Sequence, residues 1–126
     1  SRSGEIDIDM AIKTRLEEAL KRDNVIIEGR SAFMFLDRKD MMRIFLNASL
    51  EDRVKHVANR RGIPVEAARE DVERSDRDRE SLVQRFLRKS RFEATDFDFS
   101  INTGSKTFSN IADIIAEVIR MISKQK

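Results

Sequence analysis

The stretch Asn24-Val25-Ile26-Ile27-Glu28-Gly29-Arg30 constrains this chain more than any other. Its consecutive β-branched residues, bounded by Asn24 and Gly29, read as a buried strand of a parallel sheet, because strands covered on both faces are continuously apolar rather than alternating. Ligands of open α/β sheets bind beyond the carboxyl ends of the strands. At that end the chain places an acid, a glycine that admits close backbone approach, and an arginine whose planar fork suits phosphate or carboxylate. Arg30 is therefore the leading candidate for a ligand contact, set against the plainer reading of an ordinary loop arginine.

The apolar pattern on either side predicts helices and strands in succession. Ile8, Ile12, Leu16, Ala19 and Leu20 fall at helical spacing up to about Lys21. Phe33, Phe35 and Leu36 are expected to tuck down the loop 29–38, and residues 42–47 make a second strand. Ser49 with Asp52 three places on resembles a capping box, opening a helix whose stripe is Leu50, Val54, Val57 and Ala58 and which Gly62 and Pro64 end. A further helix begins at Pro64 with Val65, Ala68 and Val72 on its buried side. It leads into the mixed-charge run 69–80, before apolar spacing resumes at Leu82, Val83, Phe86 and Leu87. Alternation of Phe97, Phe99 and Ile101 with polar residues predicts a strand over 95–102 closed by an Asn-Thr-Gly turn. Ile111, Ile114, Ile115, Val118, Ile119 and Ile122 predict a last helix. This order predicts an α/β fold, a three-layer parallel sheet flanked by helices in one domain over 1–126, with a helical lid insertion at 63–91. The strand ends at Arg30, Asn47 and Asn102 would open on one edge of that sheet.

Charge narrows the partners. Net charge is only +2 although 38% of residues are charged, so the charges are interleaved and no uniformly basic field advertises a nucleic-acid groove. Any anion site must be local. The chain has no Cys, which excludes disulfide and thiolate chemistry and fits a reducing, cytoplasmic setting. No apolar run approaches the roughly 20 residues that span a bilayer. His56 lies off its helix's stripe and has no histidine or cysteine companion, so no metal site is assigned. A chain of 126 residues is long enough for a core, yet it starts at Ser1 and need not be a complete domain.

Taken together, Glu28-Gly29-Arg30 after a strand, Leu46-Asn47-Ala48-Ser49 with Glu51-Asp52-Arg53 entering a helix, the run from Glu73 to Arg79, and Ile101-Asn102-Thr103 before a final helix amount to a resemblance. The chain resembles the cytidylate kinase family of the nucleoside monophosphate kinases from about Ile8 onward. That resemblance implies transfer of the ATP γ-phosphate to CMP or dCMP with Mg²⁺. It implies that Arg30 grips the acceptor's phosphate, next to Ser31 where an acid often stands, and that Arg74, Arg77 and Arg79 act catalytically from the lid. It further implies that Asp78 helps hold the acceptor and the arginines, that Arg53 supports the nucleotide site, and that Asn102 and Thr103 form the loop near the donor's adenine. Ser81 stands where the bacterial type has another arginine. Phosphoryl transfer is chiefly positioning and neutralisation of oxygens, for which arginines on a hinged lid are suited. A solvated helix laced with i,i+4 ion pairs is the plainer reading of the same charged run.

One departure matters most. The family's phosphate-binding loop, Gly-x-x-x-x-Gly-Lys-Ser/Thr, does not occur, and Gly4, Gly29, Gly62 and Gly104 are too scattered to build it. The chain by itself is not expected to bind ATP productively. In the family's sheet the strand bearing that loop sits between those matching 25–28 and 43–47. An amino-terminal segment, a second chain in a homodimer, or direct pairing of the flanking strands would have to close the gap. A non-catalytic kinase-like module, binding nucleotide or serving assembly, is the alternative function.

Overall fold

The computed structural model describes residues 2–22 and 24–123. The chain divides into two compact units, Met42–Arg77 with Glu93–Lys126 and Ser1–Met41 with Asp78–Phe92.

The first of these holds the sheet. Strands β1 (Ile44–Asn47) and β2 (Phe99–Asn102) pair in parallel, with Ile44 opposite Phe99 and Asn47 opposite Asn102. A parallel pair needs a long crossover, and the chain between the strands supplies helices α2 (Leu50–Arg61) and α3 (Val65–Leu87). The ladder is locked at its entrance by Arg43 and Asp98. The Asp98 carboxylate accepts the Arg43 backbone N–H at 2.7 Å and its guanidinium at 3.2 Å, while the Arg43 carbonyl accepts the Asp98 N–H at 2.8 Å. Phe45 and Phe97 stack nearly face to face, centroids 4.6 Å apart and planes 11° from parallel.

Helix α2 begins and ends where its sequence says. The Ser49 hydroxyl accepts the Asp52 N–H at 3.1 Å, with Glu51 and Asp52 in the positive first turn, and Arg60 and Arg61 lie in the last. Gly62 caps the end in the left-handed region, and the Ile63 N–H returns to the Ala58 carbonyl at 3.1 Å. The stripe of α2 meets that of α3: Val54, Ala58, Ala68 and Val72 form a buried cluster, with Leu50, Val57 and Ile63 around it. Val54 is fully buried; burial on that scale contributes roughly 1.5 to 3 kcal/mol. Val65, expected on the buried side, is 47% exposed, because it opens the helix before the packed turn. The charged run is fastened to α2 by ion pairs Arg69–Glu51, Arg61–Asp71 and Arg53–Asp76. Helix α4 (Phe108–Ser123) starts with the Thr107 hydroxyl accepting the Asn110 N–H, buries Ile111, and leaves Ile114, Ile119 and Met121 exposed.

The other unit is built on helix α1 (Arg2–Ala19), a 3₁₀ turn at Arg30–Phe35 and the carboxyl end of α3. Met34, Phe35 and Leu82 are its buried core, with Leu16, Leu20, Ile27, Phe33, Met41 and Phe86 packed around them. Phe33 and Phe92 add a tilted ring contact at 4.8 Å. The phenylalanines of the loop do tuck in, as their spacing predicts. Residues 25–28 lie outside helix and ladder, and Ile26 is 83% exposed. A β-branched run becomes a strand only when a neighbour receives its hydrogen bonds, and the sheet among the described residues contains β1 and β2 alone. The Arg88 residue closes α3 with its N–H on the Gln84 carbonyl at 3.1 Å and a positive φ of 54°.

No helix of the structure is long and apolar enough to cross a membrane.

Candidate functional site

In the unit that carries the sheet, the strand ends organise a polar cluster. Asn47 and Asn102 are the last register pair, and the chain leaving β2 folds back across both. The Asn47 carbonyl accepts the Thr103 N–H at 2.7 Å and the Thr103 hydroxyl at 3.1 Å. The Asn102 side-chain oxygen accepts the Gly104 N–H at 2.9 Å, closing an Asx turn, and Lys106 Nζ donates to the Asn102 carbonyl at 2.6 Å. Gly104 is there for want of a side chain. A Cβ added to it would stand 2.3 Å from Asp52 Oδ2, so the Asp52 side chain of the first turn of α2 lies directly against the turn after β2.

Arg53 completes this cluster. Its Nε donates to the Ala48 carbonyl at 3.1 Å and its Nη1 to Asp76 at 2.7 Å, joining the end of β1 to α3 through one guanidinium. Arg53 and Asp76 side chains are 31% and 22% exposed, which leaves part of the guanidinium face open to a ligand. The cluster therefore presents an amide, a hydroxyl, an ammonium, a guanidinium and a carboxylate beyond the carboxyl ends of parallel strands. Such a set matches the ring nitrogens and hydroxyls of a nucleoside. Sequence reading found Arg53, Asn102 and Thr103 but passed over Asp52, Asp76 and Lys106. The Asn-Thr-Gly-Ser-Lys turn was the available signal for Lys106; nothing local marks Asp76, whose partner is 23 positions away.

In the other unit, Gly29 turns the chain from the extended segment 25–28 into the 3₁₀ turn with φ 93° and ψ −170°, a region open essentially to glycine alone. That turn sets Arg30 against α3. Arg30 Nη1 stands 3.7 Å from Asp78 Oδ2, with side chains 45% and 61% exposed. An exposed pair of this length adds little stability, in the range of about 0 to 1 kcal/mol. Ser31, next in the turn, is half-buried.

The three arginines expected of the lid differ in their surroundings. Arg74 pairs with Asp71 one turn earlier at 3.1 Å. Arg77 is exposed and makes no ion pair among the described residues. Arg79 is half-buried and engaged.

Electrostatic perturbation is clearest away from these arginines. The Asp98 carboxyl is held below its ordinary range by hydrogen bonds from the Arg43 side chain and then from its backbone, against the opposing effect of burial. Glu51 is lowered chiefly by its hydrogen bonds from Arg69, at 2.7 and 2.9 Å. Among the described residues no group of three or more His, Cys, Asp or Glu is disposed to hold a metal ion.

A sequence profile of the Cytidylate kinase-like family matches residues 3–105. A cytidylate kinase of Thermococcus kodakarensis is 45% identical over 62 residues, covering 49% of this chain and 32% of the relative. One from Sulfolobus acidocaldarius is 32% identical over 119 residues, 91% of this chain and 64% of the relative. A third, from Staphylothermus marinus, is 27% identical over 129 residues, 95% of this chain and 67% of the relative. The chain thus spans between about a third and two-thirds of the length of these relatives. With most of its length matched by one profile, the chain belongs to the cytidylate kinase-like family.

Proposed function

We propose that this chain is the acceptor-binding and lid-bearing part of a nucleoside monophosphate kinase that transfers the ATP γ-phosphate to CMP or dCMP. The observation that supports it is the meeting of Arg30 and Asp78, drawn from separate motifs, at 3.7 Å. In this reading Arg30 donates to the acceptor's phosphate in place of its contact with Asp78. Asp78, so released, accepts from the acceptor's sugar or from a lid arginine, with Ser31 beside it. Arg74, Arg77 and Arg79 neutralise the transferring oxygens when residues 63–91 close as a lid over a three-layer sheet. Arg53, Asn102 and Thr103 hold the donor's base.

The family implies ATP and Mg²⁺, but the residues present do not fit the reactive end of either. No phosphate-binding loop occurs in the sequence, and the hydroxyls at the helix starts beyond the two strands, those of Ser49 and Thr107, are both engaged as caps. No step is therefore routed through the metal or the donor's phosphates. An amino-terminal segment or a second copy of the chain would supply them and pair with the free side of β1, in a cytoplasmic protein. The test is phosphoryl transfer from ATP to CMP, dCMP and UMP by the full-length gene product, with Arg30→Ala beside it. Transfer to the cytidine nucleotides that falls at least about tenfold in Arg30→Ala is expected, the loss of a hydrogen bond to a charged group. Full activity in Arg30→Ala would overturn the assignment. Nucleotide binding without transfer would favour a non-catalytic kinase-like module, the second reading.

A further inference from the structure

We propose that the cleft between α1 and the carboxyl end of α3 binds a small phosphate-bearing anion, through side chains to which the kinase reading gives no role although part of the wall lies within residues 63–91. The cleft has a volume of about 650 Å³, within the range of small-molecule sites. Its lining carries one acid, Asp9, and the cations Lys13, Arg85, Arg88 and Lys89. Asp9 is only 8% exposed, and Arg85 Nε donates to it at 2.8 Å while Arg85 Nη1 donates to the Ser81 hydroxyl at 3.0 Å. The acid and one cation therefore balance each other inside the wall. The charge that faces a ligand is positive.

Two of those cations are held for another partner. Lys13 Nζ stands 6.0 Å above the Phe86 ring, a contact that places the ammonium without neutralising it. Arg88 occupies the left-handed position after α3, φ 54°, where glycine is favoured and a β-carbon is disfavoured. Neither makes an ion pair with a described residue. Cations near a helix carboxyl end also complement its dipole, but an arginine does so equally from an ordinary helical position, without the unfavourable backbone. An arginine kept at a glycine position, opposite a lysine, fits a ligand with more than one negative oxygen. The limited volume and the low net charge of +2 favour a small anion over a nucleic-acid strand.

Two sources share this chemistry, a free polyphosphate and a phosphate ester, and inorganic pyrophosphate and phenyl phosphate represent them. Each is titrated at low salt into the 126-residue chain, followed by amide shifts and calorimetry. Saturable binding with shifts centred on Lys13, Phe86 and Arg88 is expected, and the tighter probe assigns the source. Arg88→Gly relieves the backbone and keeps the fold, yet should weaken binding about tenfold, as should Lys13→Gln. Arg60→Gln, on the exposed end of α2, should leave it unchanged. Absence of saturation, unaltered affinity in Arg88→Gly and Lys13→Gln, or an equal loss in Arg60→Gln would overturn the site.

Discussion

Arg30 and Asp78 are brought within 3.7 Å of each other by elements distant in sequence, a 3₁₀ turn opened by a glycine and the middle of a long helix. Because both side chains are well exposed, the pair should matter to ligand binding and hardly to folding. Asp78→Asn is expected to change stability by less than about 1 kcal/mol in a urea titration. Under the proposed function, the same substitution in the full-length gene product should raise the KM for CMP. A large loss of stability with an unaltered KM would make the pair structural.

The Arg53–Asp76 contact should behave in the opposite way. It is shorter, more buried and shares its arginine with the Ala48 carbonyl. Arg53→Gln or Asp76→Ala is expected to cost roughly 1 to 3 kcal/mol by urea denaturation, since each removes a partly buried hydrogen bond between charged groups. Glu51→Gln, which breaks the exposed contact to Arg69, should cost much less in the same measurement, because solvent screens that pair.

Gly104 offers a test of close approach. Gly104→Ala sets a methyl 2.3 Å from Asp52 Oδ2, the far end of an exposed side chain that can swing aside, so a loss below the roughly 1 to 3 kcal/mol of overpacking against a rigid wall is expected. Asp52→Ala should relieve most of that loss. A double-mutant cycle measured by thermal melts would show the coupling, and independent, additive losses would contradict the contact.

Asp98 predicts a particular acid limb. Its folded pKa lies below the ordinary 3.8, so the folded state binds fewer protons than the unfolded one on either side of that value. The stability it contributes is present in full above pH 3.8 and is lost as pH falls through the lowered folded value. Melting temperatures recorded between about pH 2 and 5 should fall more steeply for the wild type than for Asp98→Asn, which starts lower and has no such charge to lose.

Helix α2 was legible in the sequence to its caps, because Ser49, Asp52 and Gly62 act through neighbours within the same turn. The strand ends at Asn47 and Asn102 were legible too, since each apolar run stops on an amide. Residues 25–28 show the limit of that reading. Their pattern specifies an extended, apolar segment, while a ladder depends on a partner that the segment cannot encode. The alternation over 95–102 likewise predicts a longer strand than exists: Glu93 and Asp96 cap each other's ends and fold Ala94–Asp96 into a 3₁₀ turn, leaving Phe99–Asn102 for the sheet. Arg30, Asp78, Arg53 and Thr103 could be picked from motifs. Their pairings could not, because Arg30 meets Asp78, Arg53 meets Asp76 and Thr103 meets Asn47 only after helices and strands have packed.

The parallel ladder joins segments as far apart as Arg43 and Asp98, which are 55 positions distant, whereas α2 and α3 follow one another directly. Loop-closure entropy makes distant pairings late events in folding. The helical hairpin should thus nucleate and the sheet condense upon it, giving φ-values near zero at Phe45 and well above that at Val54. A chain emerging from the ribosome would hold β1 unmatched until Asn102 has cleared the exit tunnel, the interval in which it is most open to chaperones.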